Sequence, residues 1–140
     1  MEGKGRITGH TGLLALIGSP VGHSGSPAMY NYSFEKLGLD YAYVAFDIKV
    51  EEVKAALDAM RLFHMRGCNV TMPCKTEAAK YMDELSPAAR IIGAVNTIVN
   101  ENGKLIGHMT DGEGFVGNLR DHGIEIKGKK ITVAGGGGAA

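Results

Sequence analysis

The chain has 140 residues, a length that suits one domain with a real core. Fifteen basic and fifteen acidic residues cancel, and no basic run occurs, which argues against nucleic acid or an anionic membrane surface as a partner. No apolar run is long enough to span a bilayer, and the opening residues do not read as a signal peptide. Cys68 and Cys74 fit no zinc spacing, and the five histidines form no i, i+4 pair, so no metal site is expected. Nothing implies a disulfide, and a reducing, cytoplasmic setting is the default.

The polar, Gly-rich opening (1–12) reads as a loose arm. Leu13 to Ile17 is a short apolar run that suits a strand buried on both faces. Ser26-Pro27 then reads as an N-cap followed by a first-turn proline, opening a helix that stops at Gly38. Tyr30, Phe34 and Leu37 would give that helix one buried face. Tyr41 to Ile48 is rich in aromatic and β-branched residues and predicts a second strand. The following helix would bury Val53, Ala56, Leu57 and Met60. Gly67 to Thr71 predicts a third strand, and Cys74 to Met82 a helix with Pro73 at its start. Strand and helix alternating through short links predict right-handed crossovers and a parallel sheet.

Ser86-Pro87 repeats the cap-and-proline grammar, and Gly93 ends a short helix. Ala94 to Asn100 and Lys104 to Met109 read as two strands joined by Asn102-Gly103, a strong hairpin signal, so one strand of the sheet should run antiparallel. Thr110 and Glu113 have the spacing of a capping box. Gly112, Gly114 and Gly117 crowd the helix that follows, which makes sense if something packs closely on its backbone. Lys129 to Ala134 predicts a new strand that runs into Gly135-Gly136-Gly137-Gly138-Ala139-Ala140. This has the G-x-G-x-x-A form of a dinucleotide turn, placed after a strand as that motif requires. A single nucleotide-binding strand at the end suggests a fragment that stops as a second domain begins.

Candidate site residues fall at equivalent places in this pattern. Ser24 and Ser26 follow the first strand, at a helix N-terminus that suits a carboxylate; turn and cap chemistry would equally account for them. Thr71 and Lys75 follow the third strand. Lys75 in a first helical turn is either solvated and incidental or poised as a base. Asn96 is a structural bracket or a ligand contact, and Asp111 follows the hairpin. Ligands of open α/β sheets bind beyond the carboxyl ends of the strands, so these groups could line one cleft. They suit a small polyhydroxylated carboxylate undergoing hydride transfer. Lys75 would take the alcohol proton and Asp111 would set the lysine's charge.

The stretches HSGSPAMYN, NVTMPCK, GAVNTIV, TDGEGF and GGGGAA occur in the order found in shikimate dehydrogenases, including the shikimate/quinate branch, and the chain resembles the amino-terminal part of that family from about Leu13 to Ala140. The resemblance implies an α/β open three-layer sandwich, mostly parallel with one antiparallel strand, plus the first strand of a Rossmann domain. It implies a substrate-binding domain over 13–110, a connecting helix and turn over 111–128, and the start of an NAD(P)-binding domain over 129–140. It implies NADP- or NAD-dependent interconversion of 3-dehydroshikimate and shikimate, in the pathway to chorismate and the aromatic amino acids. Ser24 and Ser26 would bind the carboxylate, Thr71, Asn96 and Asp111 the ring hydroxyls, and Lys75 with Asp111 would be the catalytic pair. Gly135, Gly137, Gly138, Ala139 and Ala140 would belong to the pyrophosphate turn. Met109 stands where the family usually has Asn. Alone, the chain is expected to hold no cofactor tightly and to be inactive. The sheet face left bare by the missing carboxy-terminal helices could pair two copies. The alternative is a silent module that binds shikimate or quinate, against which intact Lys75 and Asp111 weigh.

Overall fold

A computed structural model describes residues 7–136. Six strands form one sheet: β1 (Gly12–Gly18), β2 (Tyr41–Asp47), β3 (Gly67–Val70), β4 (Glu84–Leu85), β5 (Thr97–Glu101) and β6 (Lys104–His108), in the order β2-β1-β3-β5-β6-β4. Strand β1 runs parallel to β2 and β3, and β4 parallel to β6. Of these strands only β5 runs antiparallel to both its neighbours, as the hairpin predicted. Asn102 (φ 54°) and Gly103 (φ 95°) both take left-handed backbone, which matches the strand twist and closes the hairpin in two residues. The two-residue β4 was not foreseen, because two residues carry no readable period.

Alternation along β1 sorts the core. Ala15 and Ile17 face one side with Cys68, Val70 and Ile98, and there meet Val53, Leu57 and Met60 of α2 (Val53–Leu62). Leu14 and Leu16 face the other side with Tyr43, against Tyr30 and Phe34 of α1 (Ser26–Leu37). The expected layers, helix on sheet on helix, are present, but they are unequal. The α2 side has fourteen buried residues and the α1 side three. Helix α1 itself buries no residue, and Leu37, assigned to its inner face from spacing, is 71% exposed. Cys68 is a core residue whose thiol is pushed up to about 12 by burial, so it stays protonated and inert.

Several boundaries differ from the sequence pattern. Gly25, not Ser26, caps α1; Ser26 is already helical, because its N–H donates to Ser24 Oγ and the chain turns in one residue early. Pro73 does not open a helix: it follows a cis peptide in the turn, Cys74 is the cap, and α3 spans only Lys75–Ala79. Beyond Ala79 the N–H groups of Lys80, Tyr81 and Met82 reach back three residues rather than four, and Asp83 N–H then joins Leu105 C=O at the sheet edge. Helix α4 (Pro87–Ile92) is as expected, with Ala89 N–H donating to Ser86 Oγ.

Helix α5 (Asp111–Asp121) buries none of its residues, and Phe115 is 65% exposed. A Cβ at Gly112, Gly114 or Gly117 would meet nothing within 4 Å, so the close packing inferred from these glycines has no partner among the described residues. The strand predicted over 129–134 is likewise not formed: those residues are exposed and enter no ladder. A strand needs a neighbour to pair its backbone, and among the described residues none is offered. No helix of the described residues is long and apolar enough to cross a membrane.

Candidate active site

The site is built where β1, β3 and the hairpin end. Thr71 follows β3 directly, and its N–H donates to Ile17 C=O at 2.9 Å. Its methyl lies against Gly18, where any Cβ would collide with it, so glycine at the end of β1 lets Thr71 close over the strand. The turn at Met72-Pro73 then brings Lys75 to the start of α3. Val95 N–H donates to the carbonyl of Lys75 at 3.1 Å, which ties the entry of β5 to the first residue of α3. Asn96 is next in the chain. It lies one residue ahead of β5 rather than inside it, so its side chain is free to turn toward the helix.

There it meets Asp111, the first residue of α5. Lys75 Nζ lies 2.6 Å from Asp111 Oδ2, and Asn96 Nδ2 donates to Asp111 Oδ1 at 2.7 Å. Each carboxylate oxygen therefore has its own donor. Asn96 also engages Thr110: Nδ2 donates to Thr110 Oγ1 at 2.9 Å, and Thr110 N–H donates to Asn96 Oδ1 at 3.1 Å. This replaces the capping box expected of Thr110 and Glu113. Thr110 does occupy the cap position, but its hydroxyl is held by Asn96 and makes no cap bond. In this structure the Asn96 amide brackets Thr110 and orients Asp111.

The electrostatics follow from this contact set. Partial burial pushes the Asp111 carboxyl upward, but the hydrogen bonds from Lys75 and Asn96 and the ammonium's charge outweigh it. The carboxyl therefore sits below its ordinary value and is ionised at neutral pH. The Lys75 side chain is only 16% exposed, whereas that of Asp111 is 54% exposed. The lysine is held at the floor of the site while the carboxylate stays open to a ligand. A group arriving there would meet the Lys75 Nζ and the Asp111 carboxylate together.

The remaining sequence candidates lie at the same strand ends without touching this pair. Ser24 and Ser26 follow β1 at the head of α1, with Ser24 N–H bonded to Val21 C=O. No hydrogen bond joins either serine, or Thr71, to Lys75, Asn96 or Asp111 among the described residues. Cys74 is fully buried and points its thiol toward Ile48 C=O. Met109 packs against the α2-side core. Of the dinucleotide turn, Gly135 has φ 102°, a backbone conformation that favours glycine. Gly137, Gly138, Ala139 and Ala140 lie outside the described residues. An apolar hollow of about 450 Å³ opens beneath α2, between Ile17, Phe46, Met60 and Phe63. It has neither Lys75 nor Asp111 in its wall; the catalytic candidates lie beyond the ends of the central strands β3 and β5.

Comparison with known proteins decides the family. Residues 16–98 match the model of the shikimate dehydrogenase substrate binding domain. The chain belongs to that family. An NADP(+) shikimate dehydrogenase of Listeria monocytogenes serotype 4b is 53% identical over 135 residues, covering 96% of this chain and 46% of the relative. A crystal structure of shikimate 5-dehydrogenase from Listeria monocytogenes, in complex with shikimate and NAD, superposes with a TM-score of 0.90 at 53% identity, covering 96% of this chain and 46% of that one. The enzyme of Thermus thermophilus in complex with shikimate gives a TM-score of 0.80 at 41% identity, over 85% of this chain and 46% of that one. The chain thus spans about half the length of the shikimate dehydrogenases that it matches. The mixed sheet with its one antiparallel strand is the fold that these dehydrogenases share with it.

Proposed function

We propose that this chain is the substrate-binding half of an NADP- or NAD-dependent shikimate dehydrogenase, which interconverts 3-dehydroshikimate and shikimate. The observation that carries the reading is the Lys75–Asp111 contact of 2.6 Å, braced by Asn96, in a chain of this family. Oxidising a secondary alcohol requires a base for the hydroxyl proton while hydride leaves the carbon. When bound, the nicotinamide supplies the hydride acceptor.

The chain's own residues do the rest. Lys75 Nζ takes the hydroxyl proton in one direction and returns it in the other. Asp111 accepts a hydrogen bond from the reacting or the neighbouring hydroxyl, and its negative charge supports the protonated lysine. Asn96 keeps that carboxylate turned toward Lys75. Thr71 would meet a further ring hydroxyl. Ser24 and Ser26, at the amino end of α1, would hold the carboxylate with hydroxyls and N–H groups. The pyrophosphate turn would start at Gly135, with most of the cofactor site lying in the other half of the enzyme.

The test is shikimate-dependent reduction of NADP+ by the full-length protein. Lys75→Met should lower kcat by about a thousandfold or more, since general acid–base groups contribute on the order of 10²–10⁴-fold. Equal rates in the two proteins would remove Lys75 from the chemistry. A full-length protein that binds shikimate but never oxidises it would favour the silent binding module.

A further inference from the structure

The proposed site has two ends, and packing alone holds them together poorly. The serine end rides on α1, which buries none of its residues over a small core. The Lys75–Asn96–Asp111 end rides on the start of α3, the entry of β5 and the start of α5. Between them runs one line of polar contacts that neither the core nor the proposed chemistry uses.

The line begins at Asn31, in the second turn of α1. Its Nδ2 donates to Pro27 C=O, next to Ser26, and to Tyr43 C=O, both at 2.7 Å. Its Oδ1 accepts from Tyr43 N–H at 3.0 Å. One side chain thus pairs both backbone groups of an edge-strand residue, as a further strand would, and clamps the first turn of α1 to β2. Tyr43 is 3% exposed, and Tyr30 stacks on its ring at 4.5 Å. Its phenol donates to Asn69 Oδ1 at 2.8 Å. Asn69 in turn donates to Thr97 Oγ1 at 3.2 Å and toward Asn96 C=O at 3.4 Å. Thr71 lies two residues beyond Asn69, with Lys75 four further on, and Asn96, with its hold on Asp111, lies beside Thr97.

A phenylalanine would fill the place of Tyr43 and keep the stack. The hydroxyl is needed only for the bond to Asn69. Burial also raises the phenol's pKa, so it remains a neutral donor at any pH at which the protein works. Resting on the functional reading above, we infer that Tyr43 is a positioning residue: through Asn31 and Asn69 it fixes the serine end of the site relative to Lys75 and Asp111. It touches no substrate. Its contribution is the spacing between the group that holds the carboxylate and the group that moves the proton.

Steady-state kinetics on the full-length protein test this, with shikimate and NADP+ and with a melting curve for each variant. Tyr43→Phe should lower kcat about tenfold with a smaller change in KM, since a misplacement of about 1 Å is enough to cost on the order of a hundredfold. Asn31→Ala frees the serine end and should act mainly on KM for shikimate, raising it several-fold. It carries the test by itself if Tyr43→Phe does not fold. Variants that lose only melting temperature, with kcat and KM unchanged, overturn the inference and leave the dehydrogenase reading standing. A well-folded wild-type protein without shikimate-linked activity overturns that reading, and this inference with it.

Discussion

Asn96→Ala removes the bracket on which the catalytic pair depends. The substitution deletes the bond to Asp111 Oδ1 and three bonds to Thr110. A neutral hydrogen bond contributes about 1 kcal/mol net, and one to a carboxylate about 1.5–3 kcal/mol. Asp111 is 54% exposed, so water replaces much of what is lost and the upper end does not apply. The expected destabilisation is about 1–2 kcal/mol, or a melting temperature lower by roughly 3–8 °C in a chain of this size. The more specific effect is electrostatic. Without the Asn96 amide, only Lys75 opposes the burial that pushes the Asp111 carboxyl up, so that carboxyl must titrate at higher pH than in the parent. Urea unfolding followed by circular dichroism gives the first quantity, and carbon-detected NMR of the Asp111 carboxyl the second. An unchanged midpoint together with an unchanged Asp111 titration would refute the bracket.

Gly67→Ala should cost about 2 kcal/mol, because its Cβ would run into the carbonyl oxygen of Ile98 and push β3 from β5; a melt equal to the parent's would contradict that pairing. Stability should also fall in acid. Asp83 lies below its ordinary value because Leu105 N–H and then Arg61 bond it, and Asp111 lies low for the reasons given above. Groups lowered on folding contribute fully above their unfolded value, about pH 3.9, and lose that contribution as pH falls through the lower folded value. Urea midpoints should therefore drop between pH 5 and roughly pH 2, and Asp83→Asn should flatten the drop; a midpoint that is flat or rises over that range would show that these carboxylates are not held as described.

Much of this was legible in the sequence because local chemistry and tertiary structure agree. Asn102-Gly103 demanded a hairpin, and Ser86-Pro87 a helix start, and both formed where they stand. The positions of Lys75 and Asp111 followed from placing them after strands. Their pairing was expected from the chemistry and the family resemblance, whereas the backbone tie between Val95 and Lys75 beside it was not legible. Asn96 was visible as a polar residue in an apolar run, but its partners lie fourteen and fifteen residues on. Tyr43 gave no signal, because an aromatic residue in a strand reads as core, and only the structure shows where its hydroxyl goes. Element ends were misplaced where a side chain intervened, as Ser24 does at the head of α1. The strand over 129–134 was read from its residues, the glycine-rich turn after it and the family resemblance, and none of these supplies a pairing partner.

The most direct measurement is a shikimate titration of the isotope-labelled full-length protein, mapped by amide chemical shifts in parallel with Lys75→Met. Saturable shifts at Ser24, Ser26, Thr71, Asn96 and Asp111, weakened or altered by the substitution, are the expected result. Binding that leaves those five residues unmoved, or that centres on the apolar hollow beneath α2, would contradict the assignment of these strand ends as the substrate site.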